Sequence, residues 1–255
     1  MGTIFRFSRR FILLALLLLG WEVASRTLLD KTQATLLPPA SGVLKGGIEL
    51  ALSGDLWKHM LDSLQREAVA FMYASIAIPL GLLMGVFKWL NEQVDPIIEI
   101  FRPIPPIAWI PLSILWFGVG NAQNQFIIFL GIFFPILLNT IDAVRNVEPN
   151  LIRAARCLGA SGFAVIMKVV LRAALPQIVT GIRIGLGVGW MALVAAELVG
   201  ANSGLGFLIN DARTVLRTDF ILVGMLTIGF IGLVLDRLVR FIAQKTMPWS
   251  RALGG

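Results

Sequence analysis

The chain has 255 residues, 57% of them hydrophobic and 15% charged, and a mean hydropathy of +0.82. Soluble domains carry about 45–50% apolar residues, so an ordinary soluble fold is excluded and a polytopic membrane protein is expected. The net charge of +7 does not call for nucleic acid, because Lys and Arg stand at the ends of apolar runs, as the positive-inside rule requires.

In chain order, residues 1–10 with Arg6, Arg9 and Arg10 read as a cytoplasmic N-terminal tail. The following "FILLALLLLGWEVAS" is either a signal peptide cleaved near Ser25 or a first span; with more spans downstream, the uncleaved span is the reading taken. About 20 apolar residues cross a bilayer core of about 30 Å. Six stretches qualify or nearly do: approximately 11–29, 68–88, 105–119, 125–143, 176–199 and 220–241. The third is short and broken by Pro105, Pro106 and Pro111, which places it inside the bundle, where neighbours satisfy the freed backbone groups. Residues 11–249 then form a single transmembrane domain, and 250–255 a short C-terminal tail. The inner segments carry twice as many Lys and Arg as the outer ones, which predicts that both termini are cytoplasmic.

Two outer segments remain. Residues 30–67 begin with the helix-breaking "LLPPASGVLKGG" and continue with "LWKHMLDSLQREAVAF", whose helical apolar spacing feeds the second span; a membrane-surface connection is expected. For "GANSGLGFLINDARTV" at 200–215 two readings stand open, a segment dipping back into the protein and a plain surface loop.

Nothing points to catalysis. The sole cysteine, Cys157, excludes an intramolecular disulfide, and the sole histidine, His59, leaves no cluster with metal spacing and reads as a solvated side chain. P-loop, GxSxG and HExxH patterns are missing from the sequence. No catalytic, cofactor-binding or metal-ligating residue is expected.

The segment "LIRAARCLGASGFAVIMKVVLRAALP" interrupts this apolar background on the inner side. Ala154, Ala155 and Gly159 give a helix with a small face that another protein can approach closely, while Arg153, Arg156, Lys168 and Arg172 hold it at the cytoplasmic surface. An amphipathic linker lying on headgroups has the same spacing, and spacing alone favours that linker. The segment also resembles the EAA loop of ABC importer permeases: Glu-Ala-Ala, three residues, Gly, then an apolar run to Leu-Pro. Ala154, Ala155, Gly159, Leu175 and Pro176 match; Arg153 replaces the Glu, as in one branch of the family, and Arg172 stands where many relatives have an earlier Pro. With "FRPIPPIAWIPLSILWFGVG", "LPQIVTGIRIGLGVGWMALVAAEL" and "ANSGLGFLINDAR", the chain from about residue 35 to 249 is similar to the taurine and alkanesulfonate permeases, close relatives of the nitrate and bicarbonate permeases.

That resemblance implies an all-α, six-span type I (MetI-like) permease with a coupling helix in the loop at about 150–172, carried by Arg153, Ala154, Ala155, Gly159, Ala160 and Ser161. It implies a homodimer in the bacterial inner membrane among its lipids, a dimer of ABC ATP-binding subunits and an external substrate-binding protein. ATP and Mg belong to the partner ATPase; this chain holds no cofactor. The implied cargo is a small anion, taurine or another alkanesulfonate first, with nitrate, bicarbonate or another small anion as the alternative.

Within the spans, Gly181, Gly185 and Gly189 lie on one helix face and invite close helix packing, as do Gly81 and Gly85. Arg183 and Glu197 are costly inside a bilayer and therefore informative. Arg183 either meets an anion in transit or, the favoured reading, pairs with Asp142 or a loop carboxylate. Glu197 is expected to gate or brace the outer mouth, and Trp190, Met191, Trp109 and Trp116 are candidate cavity walls.

Overall fold

The computed structural model describes residues 2–30 and 35–247, without the side chains of residues 2–11 and of Leu14. The expected C-terminal tail 250–255, Arg251 and the side chains of Arg6, Arg9 and Arg10 thus lie outside the described residues. Every regular element among the described residues is helical: α1 (Gly2–Thr27), α2 (Ala40–Ser53), α3 (Asp55–Ala74), α4 (Ala77–Val86), α5 (Lys88–Phe101), a 3₁₀ turn (Pro106–Trp109), α6 (Ile110–Phe117), α7 (Asn121–Arg145), α8 (Pro149–Cys157), α9 (Gly162–Val165), a π turn (Ile166–Val170), α10 (Leu171–Gly200), α11 (Leu205–Thr214) and α12 (Thr218–Thr246). This follows from the composition, since a helix satisfies its own backbone where the surroundings offer no hydrogen bonds.

Four helical stretches among the described residues are long and apolar enough to cross a membrane: Asp55–Val86, Asn121–Arg145, Gly162–Gly200 and Thr218–Thr246. The first begins thirteen residues before the expected start at 68, because "LWKHMLDSLQREAVAF" runs directly into the apolar segment. Between α3 and α4 this stretch loosens at Ser75, where Pro79 has no N–H for the Ser75 carbonyl and Ile78 donates to it instead, at 3.0 Å. The expected third span differs more. Its α6 has only eight residues, about 12 Å at 1.5 Å per residue, and pairs with α5 across an 80° bend. Prolines at 103, 105 and 106 break the chain there, so this region is one bent span or a re-entrant loop rather than a straight crossing.

Two compact units can be distinguished, residues 1–62 with 203–229, and 63–202 with 230–255. In the first, α11 buries Leu205, Leu208 and Ala212. The segment whose expectation stood open is therefore a ten-residue amphipathic helix. It ends at Thr214, and the turn after it passes through Leu216 at φ +57°, where the Arg217 N–H reaches the Ala212 carbonyl at 2.9 Å. Arg217 binds Asp219 and Glu49, each at 2.9 Å, and lies over the Phe220 ring. The hydrogen bonds to Asp219 and then Glu49 hold its guanidinium proton more tightly than usual. His59 is half-buried rather than solvated, and its Nδ1 accepts the Gly204 N–H that begins α11, at 3.0 Å.

In the second unit α10 packs along α7, and glycines set their separation. A Cβ on Gly181 would stand 2.6 Å from Asn139 Cβ, one on Gly185 3.0 Å from the Ile132 carbonyl, and one on Gly189 would collide with Ile132. On the other flank of α7, Gly81 and Gly85 sit as closely against Thr140 and Val144. Lipid tails are as apolar as Leu, so association in a membrane relies on such close contact.

Candidate functional site

The segment at 149–163 has a defined geometry. Pro149 opens α8 at a position where a missing N–H costs nothing. The helix ends in a Schellman turn: Ala160 N–H donates to the Ala155 carbonyl at 3.1 Å and Gly159 N–H to the Arg156 carbonyl at 3.0 Å, with Gly159 at φ +81°. That φ is why a glycine stands here, since a Cβ strains a left-handed residue. Ser161 then caps α9, its hydroxyl accepting from Ala164 N–H at 3.3 Å. Ile152, Ala155 and Ala160 pack onto a core of Val144, Val147 and Val165. Arg153, Ala154, Arg156, Cys157, Gly159 and Ser161 are exposed, and the tip carries Leu158 at 89% and Phe163 at 75% exposure. A short helix anchored on one side thus presents small and apolar groups on the other.

The ionisable residues of the spans are distributed differently from one another. Glu197 is buried and accepts from Arg66 Nη1 at 2.7 Å and from Ser63 Oγ at 2.8 Å; Arg66 Nε donates to Asn121 Oδ1 at 2.8 Å. This cluster joins α3, α7 and α10. Beside it Glu67 is 3% exposed, with both carboxyl oxygens unbonded among the described residues. Arg66 and Glu67 are thus interior residues, whereas the sequence reading left them in an outer segment. A signal existed: Ser63, Arg66, Glu67, Ala70 and Ala74 recur at helical spacing and form the buried face of α3.

Arg183 pairs with Asp236 at 2.9 Å, and Arg240 holds the other carboxylate oxygen; the partner is on α12, not Asp142 or a loop. Arg183 and Trp190 share a cavity of about 120 Å³ with Gly232 and Asp236. Met191 is 74% exposed and Glu197 is 1% exposed, so the four proposed path residues do not converge on one cavity. Trp109 and Trp116 belong to an aromatic cluster with Phe126, ring centroids 6.1–6.4 Å apart. A larger cavity of about 350 Å³ opens between α7, α10 and the bend after α5, bordered by Arg102, Asn139 and Asp142.

Membrane-length helices packed on glycines define a multi-pass membrane protein. Residues 77–248 match the family described as binding-protein-dependent transport system inner membrane component, and the chain belongs to that family. It is 40% identical over 243 residues to the taurine transport system permease protein TauC of Escherichia coli, covering 93% of this chain and 87% of that one. It is 36% identical to the putative aliphatic sulfonates transport permease protein SsuC of Bacillus subtilis, covering 96% and 88%. With the nitrate import permease protein NrtB of Leptolyngbya laminosa it shares 38% identity over 76% of this chain and 70% of that one. Its fold is similar to that of a chain of the inward-facing MetNI methionine ABC transporter, with a TM-score of 0.59 and 25% identity over 74% of this chain and 98% of that one. The chain is accordingly a MetI-type permease subunit of an ABC importer in the inner membrane and not an enzyme. Membership implies an ATP-binding subunit and a substrate-binding protein as partners.

Proposed function

We propose that this permease imports taurine or a related alkanesulfonate. Two copies form the membrane unit, with both termini cytoplasmic and six crossings per copy: α1, α3–α4, the bent α5–α6 pair, α7, α9–α10 and α12. On this reading α8 is the cytoplasmic coupling helix. Of its residues, Arg153, Ala154, Gly159 and Ser161 form the surface that enters a cleft of the ATPase, and Ala155 and Ala160 hold that surface against the core. ATP and Mg bind that partner, this chain contributes no cofactor site, and closure of the ATPase dimer switches the membrane unit between inward- and outward-facing states. Each ligand shifts that equilibrium only by its differential affinity for the two states.

The observation that carries the coupling role is the exposed tip, Leu158 and Phe163 flanking Gly159, on a helix anchored through Ile152 and Ala155. Support for the cargo comes from the taurine and sulfonate relatives, which align over a larger share of the chain than the nitrate permease does. The test is ATP-driven uptake of labelled taurine into proteoliposomes holding this chain, its ATPase and its binding protein, competed by alkanesulfonates, nitrate and bicarbonate. Sulfonate-only competition is expected. Absence of taurine uptake, or uptake that nitrate or bicarbonate blocks and alkanesulfonates do not, overturns the cargo, and failure to assemble with an ATPase overturns the whole reading.

A further inference from the structure

The 350 Å³ cavity of the second unit carries charges of both signs. Arg102 follows the last turn of α5 and Asp142 lies near the end of α7, yet both border the same space. Neither makes an ion pair among the described residues. This sets them apart from Arg66 and Arg183, each of which is neutralised by a carboxylate. Asn139 lies at the same cavity and donates one amide N–H to the Pro135 carbonyl at 2.8 Å, leaving its second N–H. Phe134, Ile184 and Val188 supply apolar wall. The volume lies at the lower end of the roughly 300–1,000 Å³ of small-molecule sites.

We infer that this cavity is a transit site for a small zwitterion, an ω-amino sulfonate, with Arg102 facing the sulfonate and Asp142 the ammonium group. The inference rests on the proposed function and narrows its cargo. A planar guanidinium fork matches an oxyanion with two parallel hydrogen bonds, and a carboxylate accepts from an ammonium. A simple monoanion such as nitrate or ethanesulfonate finds Arg102 but is repelled by Asp142; a zwitterion satisfies both. Because both side chains are exposed rather than buried, their attraction is weak. Weak attraction suits a site that must release what it receives.

The test is equilibrium binding of labelled taurine to the purified permease–ATPase complex without its binding protein, with ethanesulfonate, ethylammonium and nitrate as competitors. Taurine is expected to bind in the millimolar range and to compete about tenfold better than either single-charge analogue. Asp142→Asn is expected to erase that preference while keeping sulfonate binding, and Arg102→Gln to weaken taurine and ethanesulfonate alike. The exchange Arg102→Asp with Asp142→Arg restores part of taurine's advantage, because a zwitterion can bind reversed; assembly with the ATPase and ATP hydrolysis show that each variant is folded. Ethanesulfonate competing as well as taurine, an unchanged preference in Asp142→Asn, or no binding at tens of millimolar overturns the inference. If those outcomes come from a complex that assembles and hydrolyses ATP, the importer reading stands and only the zwitterion site falls.

Discussion

Two arginine–carboxylate pairs share α10, which supplies the carboxylate in one and the arginine in the other, and they differ most in their surroundings. Arg66–Glu197 and Arg183–Asp236 have nearly equal lengths, 2.7 and 2.9 Å, but the first pair's side chains are 5% and 0% exposed and the second's 22% and 41%. Distance is therefore a poor guide to what each contact does. A buried charge left without its partner retains its full desolvation cost, whereas a half-exposed one is rehydrated or rebonded. The first pair locks α3 to α10; the second holds α12 by a carboxylate that Arg240 shares.

The largest expected effect breaks the buried pair. Glu197→Ala leaves the buried Arg66 charge without its carboxylate and is expected to lower stability by about 3–5 kcal/mol, read as the unfolding midpoint of the detergent-solubilised chain; a loss below about 1 kcal/mol would mean that water reaches the cluster. Next, the unbonded neighbour sharpens the contrast. Glu67→Leu removes a buried carboxyl with no hydrogen bond and is expected to stabilise by about 1–3 kcal/mol in the same assay. A control lies away from both pairs: Gly159→Ala introduces a Cβ at φ +81°, a strain of about 1–2 kcal/mol confined to the α8 turn. Its signature is functional, with less taurine imported per ATP hydrolysed and an unchanged midpoint for the spans. Smallest is Arg183→Gln, expected to cost no more than about 1 kcal/mol, because Asp236 keeps Arg240.

The contrast also explains what could be read in advance. Long apolar runs announce helices, so α7, α10 and α12 are legible; at α8 spacing alone favours an amphipathic linker, and it is the resemblance to the EAA loop that points to a small-faced helix ending at Gly159. Hydropathy fails where charges cancel in pairs. Arg66 and Glu67 resemble the end of a span by residue type, yet they lie inside because Glu197, 131 residues beyond Arg66, neutralises the arginine. Arg183 meets Asp236 across 53 residues, and helical spacing constrains only neighbours on the same helix. The prolines after α5 are visible, but their outcome, an 80° bend in place of a straight helix, depends on which neighbours receive the freed backbone groups. His59 was misread for a related reason: its partner is a backbone N–H of Gly204, and no sequence pattern marks such a donor.

Cys157 gives the tip of α8 one more property. It is the only thiol in the chain and it is exposed at the helix's last residue. A maleimide or nitroxide reagent therefore labels the native sequence at one known point, with no engineered background. In an assembly of two copies, a pair of such spin labels yields a single distance distribution, so the stroke of the proposed coupling helix can be followed as nucleotide is added.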